Sequence, residues 1–116
     1  MTIERRALGE FEHQVLLCIL RNGSESYSVQ VVLEMEARTG KEVATAGVFV
    51  TLQRLKEKGY LEDRVVPPGE GGGHARRYFR LTPAAMCVLA ESRQHYLSLW
   101  EGMETQLEQA WKRSRS

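Results

Sequence analysis

The part of the chain that constrains the fold most is the amphipathic segment 45–61, TAGVFVTLQRLKEKGYL. Its apolar residues recur at about 3.6-residue spacing and would share one face of a helix: Val48, Leu52 and Leu55. Thr45 can cap the first turn of this helix, and Gly59 can adopt the left-handed conformation that ends it. We therefore predict a helix over residues 46–58 with one face in a core.

The opposite face of this helix would be presented outward: Val50, Thr51, Arg54, Glu57 and Lys58. Lys58 at the end of this face is predicted to contact DNA. A valine, a threonine and an arginine on successive turns suit the major groove of DNA. Arginine pairs with guanine, while small apolar and hydroxyl groups meet thymine methyls and phosphates. The same residues would also suit a face that is only exposed to solvent. The neighbouring segments decide between DNA contact and simple solvent exposure.

The charge distribution favours a binding surface in the middle of the chain. The net charge is only +1, yet residues 51–82 contain seven basic and four acidic side chains, whereas residues 1–50 contain five basic and seven acidic ones. Between Gly71 and Thr82 there are three arginines and His74 but no acid. We predict a local basic patch on a small domain, since 116 residues are enough for one modest core.

Several classes of protein are disfavoured by the sequence. No apolar run reaches the roughly 18 residues of a membrane span, and the N-terminus is charged, which predicts a cytoplasmic protein. Cys18 and Cys87 are too few and too far apart for a metal site, so we expect reduced thiols, no metal and no cofactor. The three histidines lie on separate elements, and no nucleophile turn or carboxylate pair is present, which argues against an enzyme.

Two helices are predicted before the segment described above. Residues 9–21 have an apolar arc wide enough to contact a second subunit as well as the core: Phe11, Val15, Leu16, Ile19 and Leu20. After a polar connection over residues 24–27, Ser28 can cap a second helix that Gly40 ends. The expected inner face of that helix consists of Val29, Val32, Leu33 and Glu36. Val43 is a candidate for a one-residue contact with a later sheet. Helices two and three are expected to form a helix-turn-helix pair.

Beyond Gly59 the periodicity changes to that of a β-hairpin. Apolar and polar residues alternate over residues 61–66, two prolines follow, and a glycine-rich loop leads to a returning strand over residues 76–81. Phe79 and Leu81 are expected on the core side of that strand. The predicted fold is mostly α with a small β-hairpin, and residues 1–82 are expected to form a winged helix. Arg76 and Arg77 would lie either at a DNA-binding wing or simply in solvent.

The last segment, residues 83–116, is predicted to be one long dimerisation helix. Thr82-Pro83 is a strong helix start, and only Gly102 interrupts the pattern before about Trp111. A helix of nearly thirty residues spans about 40 Å, more than the small domain can cover, so self-association is expected. The expected interface residues are Phe11, Leu89, Tyr96, Trp100, Met103 and Leu107. A small-molecule effector that stacks on Trp100 is the alternative role for that side chain, and the tail KRSRS is expected to fray.

Taken together, four segments resemble the short form of the PadR family of winged-helix transcription regulators: LGEFEHQVLLCIL, AGVFVTLQRLKEKGYLEDR, GGHARRYFRLTP and the long helix that ends near LWEGME. This resemblance implies a homodimer that binds a pseudo-palindromic DNA operator, most often as a repressor. It places Gly47, Val50, Thr51 and Arg54 in the groove, His74, Arg76 and Arg77 at the wing, and Tyr27 and Ser28 near phosphate. The chain departs from the family pattern at Phe49, where many members have tyrosine, and at Met86, where glycine is usual.

A second hypothesis is a winged-helix module that binds another protein through its long helix and aromatic residues. Such a module has no general need for an acid-free basic stretch such as the one between Gly71 and Thr82. That stretch favours DNA as the partner.

Overall fold

The computed structural model describes residues 8–69 and 72–115. In chain order these form α1 (Glu10–Arg21), β1 (Glu25–Ser26), α2 (Ser28–Thr39), α3 (Thr45–Glu57), β2 (Leu61–Val66), β3 (Arg76–Leu81), α4 (Pro83–Trp100) and α5 (Glu104–Arg115). The predicted fold class, mostly α with a small β-sheet in a winged-helix arrangement, is confirmed. Residues 1–7, 70, 71 and 116, some of which entered the charge and wing predictions, lie outside the described residues.

The core lies where α1, α2 and α3 meet the inner side of the sheet. Phe79 of β3 is 1% exposed and packs with residues that are fully buried on α1 and α3. These include Val15, Leu16, Ile19, Val48, Leu52 and Leu55. The helical spacing of the apolar residues in α1 and α3 therefore identified the correct inner faces.

Helix α2 differs from the prediction in its start and in its inner face. Tyr27 is the N-cap, Ser28 is the first helical residue, and no side chain caps the helix. The buried residues are Val31, Val32 and Met35, whereas Val29 and Leu33 are 49% and 59% exposed. Apolar residues occur on much of the circumference of α2, so periodicity alone could not select the side that packs.

The sheet has a third strand that the sequence pattern does not reveal. Its order is β1-β3-β2, all antiparallel, with Ser26 opposite Phe79 and Leu61 opposite Leu81. A strand of two residues is too short to show alternation. Val43, a candidate for a one-residue contact with the sheet, forms no β-bridge within the described residues; its amide donates to Glu36 Oε2 at 2.9 Å, and its side chain packs against the core.

The C-terminal segment begins as expected but is not one continuous helix. Thr82 Oγ1 accepts a hydrogen bond from Ala85 N at 3.2 Å, which caps α4. The helix ends at Trp100, where Glu101 takes a ψ of 117° and Gly102 a φ of 78°, a conformation that glycine adopts readily, and α5 begins at Glu104. Residues 112–115 belong to α5, so the expectation of a frayed tail is wrong for them.

Helix α5 stands apart from the core. All of its residues are exposed, whereas Ala85, Val88 and Leu89 of α4 are buried with α1 and the sheet. None of the helices in the described segments is long and apolar enough to cross a membrane.

Candidate nucleic-acid interface

The outward face of α3 carries an arginine that forms no ion pair. Arg54 is exposed, and no carboxylate of the described residues lies within ion-pair distance of its guanidinium group. Gly47, two turns earlier in the helix, is exposed, and Val50 is 54% exposed. This face combines a hydrogen-bonding arginine with a small apolar side chain and a stretch of uncovered backbone, which is suitable for contact with base edges.

Thr51 does not belong to this outward face. It is 5% exposed, and its Oγ1 donates to Gly47 O at 2.8 Å within the helix. The prediction that Thr51 is presented outward is therefore wrong. The reason is its position three residues after Val48 and four before Leu55, at the edge of the buried face.

Lys58 is also withdrawn from the surface, because it forms a largely buried ion pair with Glu12. Its Nζ lies 2.8 Å from both carboxylate oxygens of Glu12, and the two side chains are 15% and 8% exposed. Glu12 Oε1 also accepts the amide of Gly9 at 2.7 Å. The prediction that Lys58 presents its charge to DNA is wrong, because its ammonium group forms an ion pair that links the end of α3 to the first turn of α1.

The ion pair alters the acidity of the carboxyl group. Burial alone would raise the pKa of Glu12, but the hydrogen bonds from Lys58 and Gly9 and the charges of Lys58 and Arg54 together outweigh burial and lower the pKa below 4.5. Sequence reasoning missed Glu12. A glutamate three residues after a helix N-cap does suggest the bond to Gly9, but nothing local indicates a partner as distant in sequence as Lys58.

The wing arginines fall into two groups. Three of the four on β2 and β3 form ion pairs, at 2.7, 3.6 and 2.8 Å: Arg64 with Glu25, Arg77 with Asp63 and Arg80 with Glu62. Arg76 has no carboxylate partner within the described part of the chain, and its guanidinium carbon lies 4.6 Å from the centre of the Tyr27 ring. Arg76 is thus the wing arginine whose charge is least compensated, a distinction that the sequence does not show.

The other predicted contact residues surround this group. His74 lines a groove of about 520 Å³ beside the wing, together with Arg76 and Tyr78. Tyr27 and Ser28 lie at the N-terminus of α2, where the first amides of a helix carry a partial positive charge that favours phosphate.

Apart from the α3 face and the wing, an apolar surface lies between α1 and α4. His13, Leu17 and Leu20 face α4 across a groove of about 520 Å³ that is also lined by Met86, Leu89, Ala90, Arg93, Tyr96 and Leu97. Leu17 and Leu20 are 42% and 40% exposed. Leu17 was missed by the sequence reasoning, because α1 alone does not show which apolar residues its own core leaves uncovered.

The predicted interface residues divide into exposed and internal ones. Tyr96, Trp100, Met103 and Leu107 are 52%, 43%, 40% and 53% exposed. Leu89 is only 7% exposed and packs in the core of its own chain, and Phe11 is partly buried against that core. Leu89 therefore offers a partner little surface of its own, although it lines the groove between α1 and α4.

Comparison with known proteins gives a family and a set of related folds. The model of the transcriptional regulator PadR-like family matches residues 16–91. No curated protein is similar enough in sequence to count as a match.

Three solved structures illustrate the similarity of fold. A PadR family transcriptional regulator from Eggerthella lenta is 24% identical with a TM-score of 0.63, over 81% of this chain and 80% of the other. A PadR family transcription regulator from Clostridium difficile is 16% identical with a TM-score of 0.64, over 82% and 97%. F93 from STIV, described as a winged-helix DNA-binding protein, is 14% identical with a TM-score of 0.64, over 81% and 95%.

The family match covers more than half of the chain, and it includes α2, α3 and both wing strands, where Arg54 and Arg76 lie. Members of this family are DNA-binding regulators and not enzymes, in agreement with the expectation from the sequence. The chain belongs to the PadR-like family of transcriptional regulators.

Proposed function

We propose that the protein is a homodimeric repressor that binds a pseudo-palindromic operator through α3 and the wing. In this proposal Gly47, Val50 and Arg54 enter the major groove, and the first turn of α2, with Tyr27 and Ser28, approaches phosphate. His74 and Arg76 contact the backbone or the neighbouring minor groove. The observation that carries the proposal is the exposed guanidinium of Arg54, which forms no ion pair within the described residues and acts on the Glu12 carboxylate only at longer range.

The dimer is proposed to form through the α1–α4 groove and through α5. Every residue of α5 is exposed in the single chain, including the apolar Leu107 and Trp111. A helix with uncovered apolar residues and no buried residue of its own is best explained by burial against a second copy. We accordingly assign DNA binding to residues 1–82 and dimerisation to residues 83–116, whose first two turns also complete the core.

Repression and control by an effector complete the proposal. A dimer bound across an operator would exclude other proteins from that DNA. We propose that the protein acts in the cytoplasm. Trp100 and Trp111 line a groove of about 510 Å³ with Glu104, Leu107 and Glu108. This groove has room for a flat apolar molecule, and the proposal includes an effector that binds there and changes the separation of the two α3 helices.

The Arg54→Ala substitution tests the assignment of α3 as the reading helix. We expect it to weaken operator binding by about 1 to 3 kcal/mol and to relax base preference at one position of each half-site, since a bidentate contact to guanine is lost. Fluorescence anisotropy with the operator and single-base variants measures both effects. Arg38→Ala is the matched control, because Arg38 is an exposed arginine paired with Glu34 on α2. If Arg54→Ala binds every variant as the wild type does, α3 is not the reading helix.

A comparison of Arg76→Ala with Arg77→Ala tests the division of the wing arginines. We expect Arg76→Ala to weaken binding equally on all sequences. The slope of log affinity against log salt concentration should become shallower by the amount that corresponds to about one phosphate contact per protomer. The effect of Arg77→Ala should be smaller, because Asp63 already partly compensates its charge. Affinity measured between about 50 and 200 mM salt gives the two slopes. Equal changes for both variants would contradict the distinction.

A further inference from the structure

A connected set of aromatic and charged side chains lies beneath the wing. The guanidinium carbon of Arg76 is 4.6 Å from the centre of the Tyr27 ring, and Tyr27 meets Tyr78 edge to face at 5.4 Å with an interplanar angle of 76°. Arg64 lies 5.2 Å from the centre of the Tyr78 ring on the facing strand. We call these residues, together with Glu25, the wing ladder.

The far end of the wing ladder is an exposed, bidentate ion pair. Glu25 accepts two hydrogen bonds from Arg64, at 2.8 Å from Nε and 2.7 Å from Nη2, in the bidentate geometry that fixes a guanidinium plane. Arg64 lies over the Tyr78 ring, and Tyr78 and Tyr27 meet edge to face. The Tyr27 ring is therefore supported from β1, β2 and β3, although it belongs to the N-cap of α2.

Arg76 lies at the near end of the wing ladder, where the wing leaves the sheet. It is the first residue of β3 and pairs with Val66, the last residue of β2. Within the described residues its guanidinium makes no ion pair and no hydrogen bond, and the Tyr27 ring is its one stacking contact. A guanidinium that uses its face to stack on a ring keeps its N–H edges free to donate to an anion.

We infer that Tyr27 is a positioning residue for DNA binding, whose ring, supported by the wing ladder, holds the Arg76 guanidinium ready for a backbone phosphate. An unrestrained arginine loses much of its rotamer freedom when it binds, and a side chain already placed in its bound geometry loses less. This inference rests on the proposed function. It gives the Tyr27 ring a role through Arg76, in addition to the proposed approach of the first turn of α2 to phosphate.

The first experiment is a double-mutant cycle on the full-length chain, with DNA affinity measured by fluorescence anisotropy. Tyr27→Leu is expected to weaken binding about three- to tenfold on all sequences, because the cation–π contact is lost. In an Arg76→Ala background the same substitution should change affinity less than about twofold, whereas in an Arg77→Ala background the full loss should remain. Tyr27→Phe keeps the ring that stacks on Arg76, so its loss of affinity should be clearly smaller than that of Tyr27→Leu.

Three outcomes would overturn the inference while leaving DNA binding intact. The first is a loss from Tyr27→Leu that is the same with and without Arg76. The second is a loss from Tyr27→Phe as large as that from Tyr27→Leu, which would assign the effect to the hydroxyl group. The third is that Tyr27→Leu binds DNA as well as the wild type.

A measurement on the free protein separates this inference from the proposed function. The side-chain protons of Arg76 should show ring-current shifts in the NMR spectrum of the wild type and of Tyr27→Phe, and these shifts should vanish in Tyr27→Leu. Absence of the shifts in the wild type would overturn the inference whatever the DNA result. A wild-type protein that shows the shifts but binds no DNA would overturn the proposed function and the role of the stack in it.

Discussion

Replacing Leu107 with aspartate is expected to leave the protein monomeric at micromolar concentration and to reduce operator affinity on the order of 10²-fold. Leu107 is 53% exposed on α5 in the single chain, and in the proposed dimer a carboxylate at this position would be buried without a cation prepared to receive it. Two half-sites bound by linked protomers benefit from effective concentration, and separate monomers lose that benefit. Analytical ultracentrifugation gives the assembly state, and anisotropy gives the affinity.

The position of Leu107 makes this test selective for dimerisation. No residue of α5 is buried in the core, so the substitution should not unfold the winged helix, and circular dichroism should remain that of the wild type. Gln109→Asp is the matched control, because it adds the same charge to α5 on the face opposite Leu107 and Trp111. A dimer that survives Leu107→Asp, or one that Gln109→Asp disrupts equally, would contradict the proposed interface.

The Lys58→Met substitution should destabilise the fold more than any other single change considered for the DNA-binding unit. It removes the cation that lies 2.8 Å from both oxygens of Glu12 and leaves a carboxylate with 8% exposure held by the Gly9 amide. Loss of one partner of a buried pair is costly, and we expect a decrease of about 2 to 3 kcal/mol in the free energy of unfolding at neutral pH. Urea unfolding at a fixed protomer concentration measures it.

The pH dependence and a double variant identify the cause of that decrease. Because the pKa of Glu12 is lowered in the folded wild type, its contribution to stability is present above pH 4.5 and is lost as the pH falls through the lowered pKa. The penalty of Lys58→Met should therefore shrink in acid, where Glu12 becomes protonated. Combining Lys58→Met with Glu12→Gln should restore most of the stability at neutral pH. A penalty that is unchanged by pH and by Glu12→Gln would show that packing, and not charge, is responsible.

Periodicity predicted the elements that bury a regular apolar face, and it failed where burial depends on contacts distant in sequence. Phe79 and Leu81 were placed correctly because a strand alternates strictly, and the inner face of α3 was correct because its apolar residues occupy one narrow arc. The inner face of α2 was ambiguous, since Val29 and Leu33 have the same spacing as the residues that pack. Thr51 was misplaced because a residue at the edge of an arc can fall on either side.

The candidate site was predictable in its residue types but not in its pairing. Arg54, Arg76 and Arg77 were all recognised as basic side chains near the predicted DNA. Which of them retains an uncompensated charge depends on Asp63 and Tyr27, which are brought close by the sheet and by the start of α2. Gly102 was noticed in the sequence, yet its left-handed conformation, which ends α4, could not be inferred from a pattern that continues on both sides of it.

The most direct test of the whole account is selection of DNA from a random pool by the purified wild-type protein, followed by sequencing of the retained fragments. The wild-type dimer should enrich one inverted repeat with half-site centres about one helical turn apart, and Arg54→Ala should lose preference at one symmetric pair of positions in the same selection. Retention of DNA without any enriched sequence, or enrichment of the same sequence by Arg54→Ala, would contradict it.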